Sequence, residues 1–235
     1  MKKYVEVFWA PYSSNPSDDW VNIAFTPPKP FYPLLQKERQ NSFYLKCPAV
    51  AESFKNDFVI CSPVDLVVTV DYNSRTVTTD RHGQEFYDTF VQNRPHDFEA
   101  PSPYLLSLPP KYLFYSHDDV ELELKDLPIL TSKSNSNFKL IPGKFNIGKW
   151  HRPTDTAVEC IDPSKPIELI RGEPMFAIRF ITKNNIPVKL VRVAVDDVMR
   201  KRVNAFAGLK KYIPNLRLKD MYEMAEDYIN TLRKK

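Results

Sequence analysis

The chain has 235 residues, 43% of them hydrophobic and 13% aromatic, with 33 basic against 29 acidic side chains: enough apolar material for a core, and too much for a disordered polymer. Proline outnumbers glycine 21 to 5, where average usage would give about 12 and 16, which excludes a collagen-like repeat and disfavours glycine-rich phosphate cradles. No window approaches the roughly 18 to 20 consecutive apolar residues of a membrane-spanning helix, and the N-terminal apolar run is short, so a soluble cytoplasmic chain without a secretory signal is expected.

Residues 1–48 open the chain with Pro11, Pro16, Pro27, Pro28, Pro30, Pro33 and Pro48 among Trp9, Trp20, Phe25, Phe31 and Tyr32. That mixture reads as an extended arm laid across the body by its rings. Short β-branched and aromatic runs follow the first one at 4–9: 58–72, 74–80, 111–115, 120–124, 166–170 and 175–181, each bounded by Pro, Asn, Asp or Ser. Their length and composition are those of strands. The run VELEL alternates strictly and places Val120, Leu122 and Leu124 on a core face. In MFAIRFI both faces are apolar except at Arg179, which marks a central strand. Residues 49–194 therefore form a mainly β body, a β-sandwich or jelly-roll-like fold.

After residue 194 the apolar spacing becomes helical, through Val195, Val198, Met199, Val203, Phe206 and Leu209, and again through Leu218, Met221, Tyr222, Ala225, Ile229 and Leu232. Tyr-Ile-Pro-Asn at 212–215 breaks the two, so residues 195–235 read as a two-helix hairpin whose apolar stripes the body, each other or a second chain must cover. This appendage is basic. From Asp196 onward ten Lys and Arg face six Asp and Glu, a balance of +4 that equals the formal charge of the whole chain. Arg200, Lys201, Arg202, Lys210 and Lys211 are the candidate contacts to a polyanion or an acidic protein, with the interspersed acids weakening the nucleic-acid reading. Asp196-Asp197 stands where the first of these helices begins and reads as a cap.

Cys47, Cys61 and Cys160 form no metal spacing and read as free thiols, Cys47 and Cys61 as small buried hydrophobes. Four histidines, His82, His96, His117 and His151, are candidates for chemistry. His117-Asp118-Asp119 with His151 matches the two-histidine, one-carboxylate face that holds iron(II), with His117, Asp119 and His151 as ligands and Arg179 or Arg192 holding an oxo-acid cosubstrate. The simpler reading of Ser116–Asp119 is a hairpin turn between the strands 111–115 and 120–124. His96-Asp97 reads as part of an exposed loop. Elbow, phosphate-loop and dinucleotide motifs are absent from the sequence.

The segment 141–180 uses three of the five glycines. Gly143 and Gly148 flank a short aromatic strand, and Gly172-Glu173-Pro174 turns into the central one. Trp150 and Arg152 are expected at the mouth of a sheet, where ring and guanidinium stack or hold a carboxylate; the plainer reading is a buried Trp150 with Arg152 paired to Glu159 or Glu173.

Cys47-Pro48, the run Phe58 to Pro63, Trp150-His151-Arg152-Pro153 and Gly172-Glu173-Pro174 resemble the pattern of a bacterial and tailed-phage protein family without an established activity, over about residues 5 to 185. The resemblance implies a mainly β domain and a bacterial or phage source, hence cytoplasm or virion, and no catalytic residues. The expected function is a non-enzymatic binding or assembly module that works without a cofactor, through its aromatic arm and basic tail, on a protein partner or a second copy. The alternative is the jelly-roll iron oxygenase.

Overall fold

A computed structural model describes residues 3–12, 24–39, 42–71, 73, 76–79, 92–93, 105–108, 111–130, 132–154, 156–204 and 217–233. His82, His96, Lys210 and Lys211 lie outside the described residues. The fold is mainly β, several sheets around one apolar core, followed by two helices.

The first sheet has the order β12 (Arg152–Pro153), β8 (Tyr112–Tyr115), β1 (Val5–Pro11), β16 (Val188–Arg192). β1 pairs antiparallel with β8 and parallel with β16, Val5 opposite Val188 through Trp9 opposite Arg192. The second sheet runs β11 (Gly143–Asn146), β9 (Val120–Lys125), β15 (Pro174–Thr182), β3 (Asp57–Cys61), β2 (Lys29–Pro30). The third runs β10 (Phe138–Leu140), β13 (Thr156–Cys160), β7 (Leu105–Leu108), β6 (Gln92–Asn93), and the fourth β14 (Ile167–Leu169), β4 (Leu66–Asp71), β5 (Thr76–Thr79).

One core joins all four sheets: Val7, Trp9 and Phe114 from the first, Phe58, Leu122 and Ile178 from the second, Leu106 and Val158 from the third, Val68 and Ile167 from the fourth. Each such side chain contributes about 1.5–3 kcal/mol by leaving water. As the alternation requires, Val120, Leu122 and Leu124 are buried and Glu121 and Glu123 face outward. β15 lies between β9 and β3, and both it and β3 are apolar on two faces because a second core covers the back of that sheet. There Val59, Cys61 and Ala177 meet Phe31, Leu35, Leu45, Phe54 and Leu130.

The N-terminal segment departs from the extended arm. Val5–Pro11 is a strand inside the first sheet, and residues 31–53 carry helix α1 (Phe31–Glu38), a 3-10 turn (Phe43–Lys46) and helix α2 (Pro48–Ser53). Pro33 sits in the first turn of α1 and Pro48 opens α2, positions whose N–H has no intrahelical acceptor, so these prolines start helices rather than forbid them. Cys47, at the N-cap of α2, is exposed and not a core residue, whereas Cys61 and Cys160 are buried.

The turn Ser116–Asp119 is likewise no hairpin. β8 belongs to the first sheet and β9 to the second, so it is a corner where the chain changes sheets. Ser116 holds it, its Oγ donating to Glu6 O (2.8 Å) and accepting from Asp118 N (3.1 Å).

The C-terminal helices α3 (Asp197–Asn204) and α4 (Leu218–Arg233) pack on the body. Val203, with Val195 and Met199 beside it, joins Tyr12 and Leu113 on the outer face of the first sheet, while Met221 and Ala225 enter the main core. Asp196 caps α3, its Oδ1 accepting from Met199 N at 2.7 Å.

Candidate functional site

Among the described residues, two clusters of aromatic and charged side chains stand as candidate sites. The first is the turn from β11 to β12. Asn146 Oδ1 accepts from Gly148 N (2.9 Å) and Lys149 N (3.1 Å), its Nδ2 donates to Asp119 Oδ1, and Trp150 N donates to Asn146 O (3.0 Å). Gly148 is required here, because a Cβ would stand 2.3 Å from the backbone oxygen of Asp118. The turn delivers Trp150 beneath α4. Its ring meets Phe145 and Tyr222 edge-on, at 6.2 and 6.4 Å between centroids. The Arg152 guanidinium lies 4.6 Å from the Trp150 ring centre and 5.2 Å from that of Phe145, a cation on two aromatic faces. Tyr222 Oη accepts from Asn146 N at 2.6 Å, and burial raises its phenol pKa against the opposing pull of that N–H, Arg152 and Lys144.

Glu173 does not join Trp150 and Arg152. Its carboxylate accepts from the backbone N–H (3.2 Å) and hydroxyl (3.3 Å) of Ser134, bracing the turn into β15. With Trp150 buried and α4 across it, this cluster is a joint between the sheets and the helix.

The iron face is not assembled. Among the described residues no three His, Cys, Asp or Glu side chains gather as a metal set. Asp119 is taken by Asn146, and His117 stands edge-on to Phe8 (5.2 Å) and Tyr115 (6.0 Å) while His151 lies against Tyr115 (5.2 Å). These histidines belong to a ring cluster instead. Arg179 is no free anchor for an oxo acid either: it grips the buried carboxylate of Asp57 from Nε (2.6 Å) and Nη2 (3.0 Å), with Lys125 on the same group. Arg192 lies 5.5 Å from the Trp9 ring centre.

The second place is the outer face of the first sheet. Alternation along β1 sends Val5, Val7 and Trp9 inward and leaves Tyr4, Glu6 and Phe8 on the other side. Phe8 stacks on Tyr115 across the β1–β8 pair, centroids 5.0 Å apart and planes 23° apart. Beside them Lys3, Tyr4, Glu6, Phe8, His117 and Asp118 line an open pocket of about 450 Å³. α3 flanks this face: burial, then the Asp196 charge, raise the Tyr115 pKa, and Arg202 opposes them. Arg200 acts in the same opposing sense on Tyr12, whose pKa burial raises, while Lys201 is exposed.

Sequence reasoning passed over Tyr4, Glu6 and Phe8. The alternation in YVEVFW held the signal, since its outward side carries two rings and a carboxylate where a plain solvated face would be polar. Comparison with known protein families, curated proteins and solved structures found no match for the chain.

Proposed function

We propose that the chain is a non-enzymatic binding module that engages a partner protein through the outer face of the first sheet, with α3 and its basic residues at the border. One observation carries this reading: Tyr4, Phe8 and His117 stand partly open to water around a pocket, on a strand whose opposite side is locked into the core by Val7 and Trp9, 0% and 2% exposed. Rings on a rigid backbone lose little conformational freedom on contact, which suits a recognition surface. The cationic side chains of α3 supply steering toward an acidic rim on the partner. A bacterial or tailed-phage source, suggested by the Trp-x-Arg-Pro and Gly-Glu-Pro motifs, belongs to the same proposal.

The test is a titration of the ¹⁵N-labelled full chain with short basic, acidic and aromatic peptides and a single-stranded oligonucleotide, followed residue by residue. Shifts confined to Phe8, Tyr115, His117 and their neighbours are expected with a peptide. Shifts clustered elsewhere, for instance around Arg179 and Thr182, or silence throughout, would overturn the reading; a strongly salt-dependent response to the oligonucleotide alone would replace the protein partner by nucleic acid.

A further inference from the structure

At the Tyr4–Glu6 edge of the pocket on the outer face of the first sheet a cation already stands, and it is the protein's own. Lys189, opposite Glu6 in the β1–β16 register, places Nζ 5.1 Å from the centre of the Tyr4 ring and 3.8 Å from Glu6 Oε1. The ion pair is at the outer limit of contact and its side chains are 56% and 44% exposed, so it holds Lys189 only weakly. The ring face is the closer definition of the site. Tyr4 and Phe8 lie four residues apart on one side of β1, about 13 Å along the strand, with Glu6 between them. His117 closes one end against Phe8, and Asp118 adds a second carboxylate at the rim.

An aromatic face attracts an ammonium group through its quadrupole, and the Glu6 carboxylate beside Tyr4 adds Coulomb attraction. We infer that the Tyr4–Glu6 edge of this pocket takes an alkylammonium head, the side chain of a lysine on the partner or its methylated form, and that Lys189 is an intramolecular stand-in which the incoming group displaces. Lys189 has a long flexible stem and can swing to water. Once it does, Glu6 loses the ammonium that faces it and the Tyr4 ring face is uncovered. A phosphate or carboxylate would meet the Glu6 carboxylate there, and a neutral base would gain nothing from the departure of Lys189. The inference rests on the binding reading above and specifies its ligand.

Choline and Nα-acetyl-lysine amide serve as probes, AMP and acetate as controls, against the full chain and its Lys189→Met, Tyr4→Ala and Glu6→Gln variants, by the same residue-resolved titration. The two ammonium probes are expected to shift Tyr4, Glu6, Phe8 and His117. Lys189→Met should bind choline about threefold more tightly and Tyr4→Ala about threefold more weakly, as one cation–π contact at an exposed site implies. Glu6→Gln, which keeps shape and removes charge, gives the same weakening without relying on the Tyr4 variant to fold. Unchanged or weaker binding by Lys189→Met overturns the inference. Shifts at the pocket with AMP or acetate but neither ammonium probe overturn the ligand and leave the binding face standing; silence from every probe in wild type and Lys189→Met removes both.

Discussion

Gly148 shows how one position can hold two sheets at a corner. Its missing side chain lets the backbone of Asp118 come within what would be 2.3 Å of a Cβ, and both atoms that would collide belong to main chain or its first branch, so neither can rotate away. Gly148→Ala is expected to cost about 1–3 kcal/mol as overpacking, read as a drop of about 5 °C in thermal midpoint for a chain of this size. An unchanged midpoint would mean that the Ser116–Asp119 corner stands farther from the β11–β12 turn. What sequence could tell about single residues followed range. The Asp196 cap was legible because its acceptor and donor are three residues apart. The role of Gly148 was not, because Asp118 lies thirty positions upstream and only the fold brings it near.

Elements were legible where a single rule governs them. VELEL alternates because one face of β9 is buried, and MFAIRFI is apolar on both faces except at Arg179 because β15 has a core on each side. The reading failed where one composition serves two geometries. Ser-His-Asp-Asp fits a hairpin and a sheet-changing corner equally, and the choice is made by β1 and β12, which pair with β8, and β11 and β15, which pair with β9. Prolines around α1 fit an extended segment or a helix start, and Phe31 and Leu35, one helical turn apart and buried together, decide for helix. The pocket on the outer face escaped for the same reason, since Phe8 meets Tyr115 and His117 only through the β1–β8 pairing, which no local pattern encodes. At this scale α4 offers a direct check. Tyr222→Phe removes the acceptor for Asn146 N–H and strands a donor in a half-buried place, which should destabilise by about 1–2 kcal/mol. Because the lost bond holds α4 over Trp150, the fluorescence of that indole should also move to longer wavelength; a variant with both properties unaltered would show that α4 is held by Met221 and Ala225 alone.

The whole molecule distributes its phenols unevenly with respect to water. Tyr12, Tyr112, Tyr115 and Tyr222 all have pKa values raised, in each case mainly by burial, and Tyr112 most of all, its hydroxyl donating to Thr26 O. Below about pH 10 native and unfolded chains both carry these groups protonated and no stability is at stake. Above it the unfolded chain releases protons that the native one retains, so stability falls as pH rises from about 10 through the higher native values. Denaturant unfolding at a series of alkaline pH values should show the midpoint declining from that point, with part of the phenolate absorbance of the twelve tyrosines withheld until the chain unfolds. The full phenolate absorbance with the fold intact would contradict the burial of these rings. The mainly β class and the helical C-terminus were readable from periodicity alone, but not the assembly of four sheets around one core, since each sheet is made of strands far apart in the chain.

The parallel pairing of β1 with β16 has a mechanical consequence. β1 starts at residue 5 and β16 ends at residue 192, and the two run in the same direction with five residue pairs in register. A tensile load applied between Lys3 and Val193 therefore pulls the strands lengthwise past each other, and the rungs between them share the strain simultaneously instead of opening one after another. Forced rupture is governed by the unfolding barrier rather than by equilibrium stability, so a molecule tethered at these two points should resist stretching as a clasp until β1 slides free, and then yield in one step.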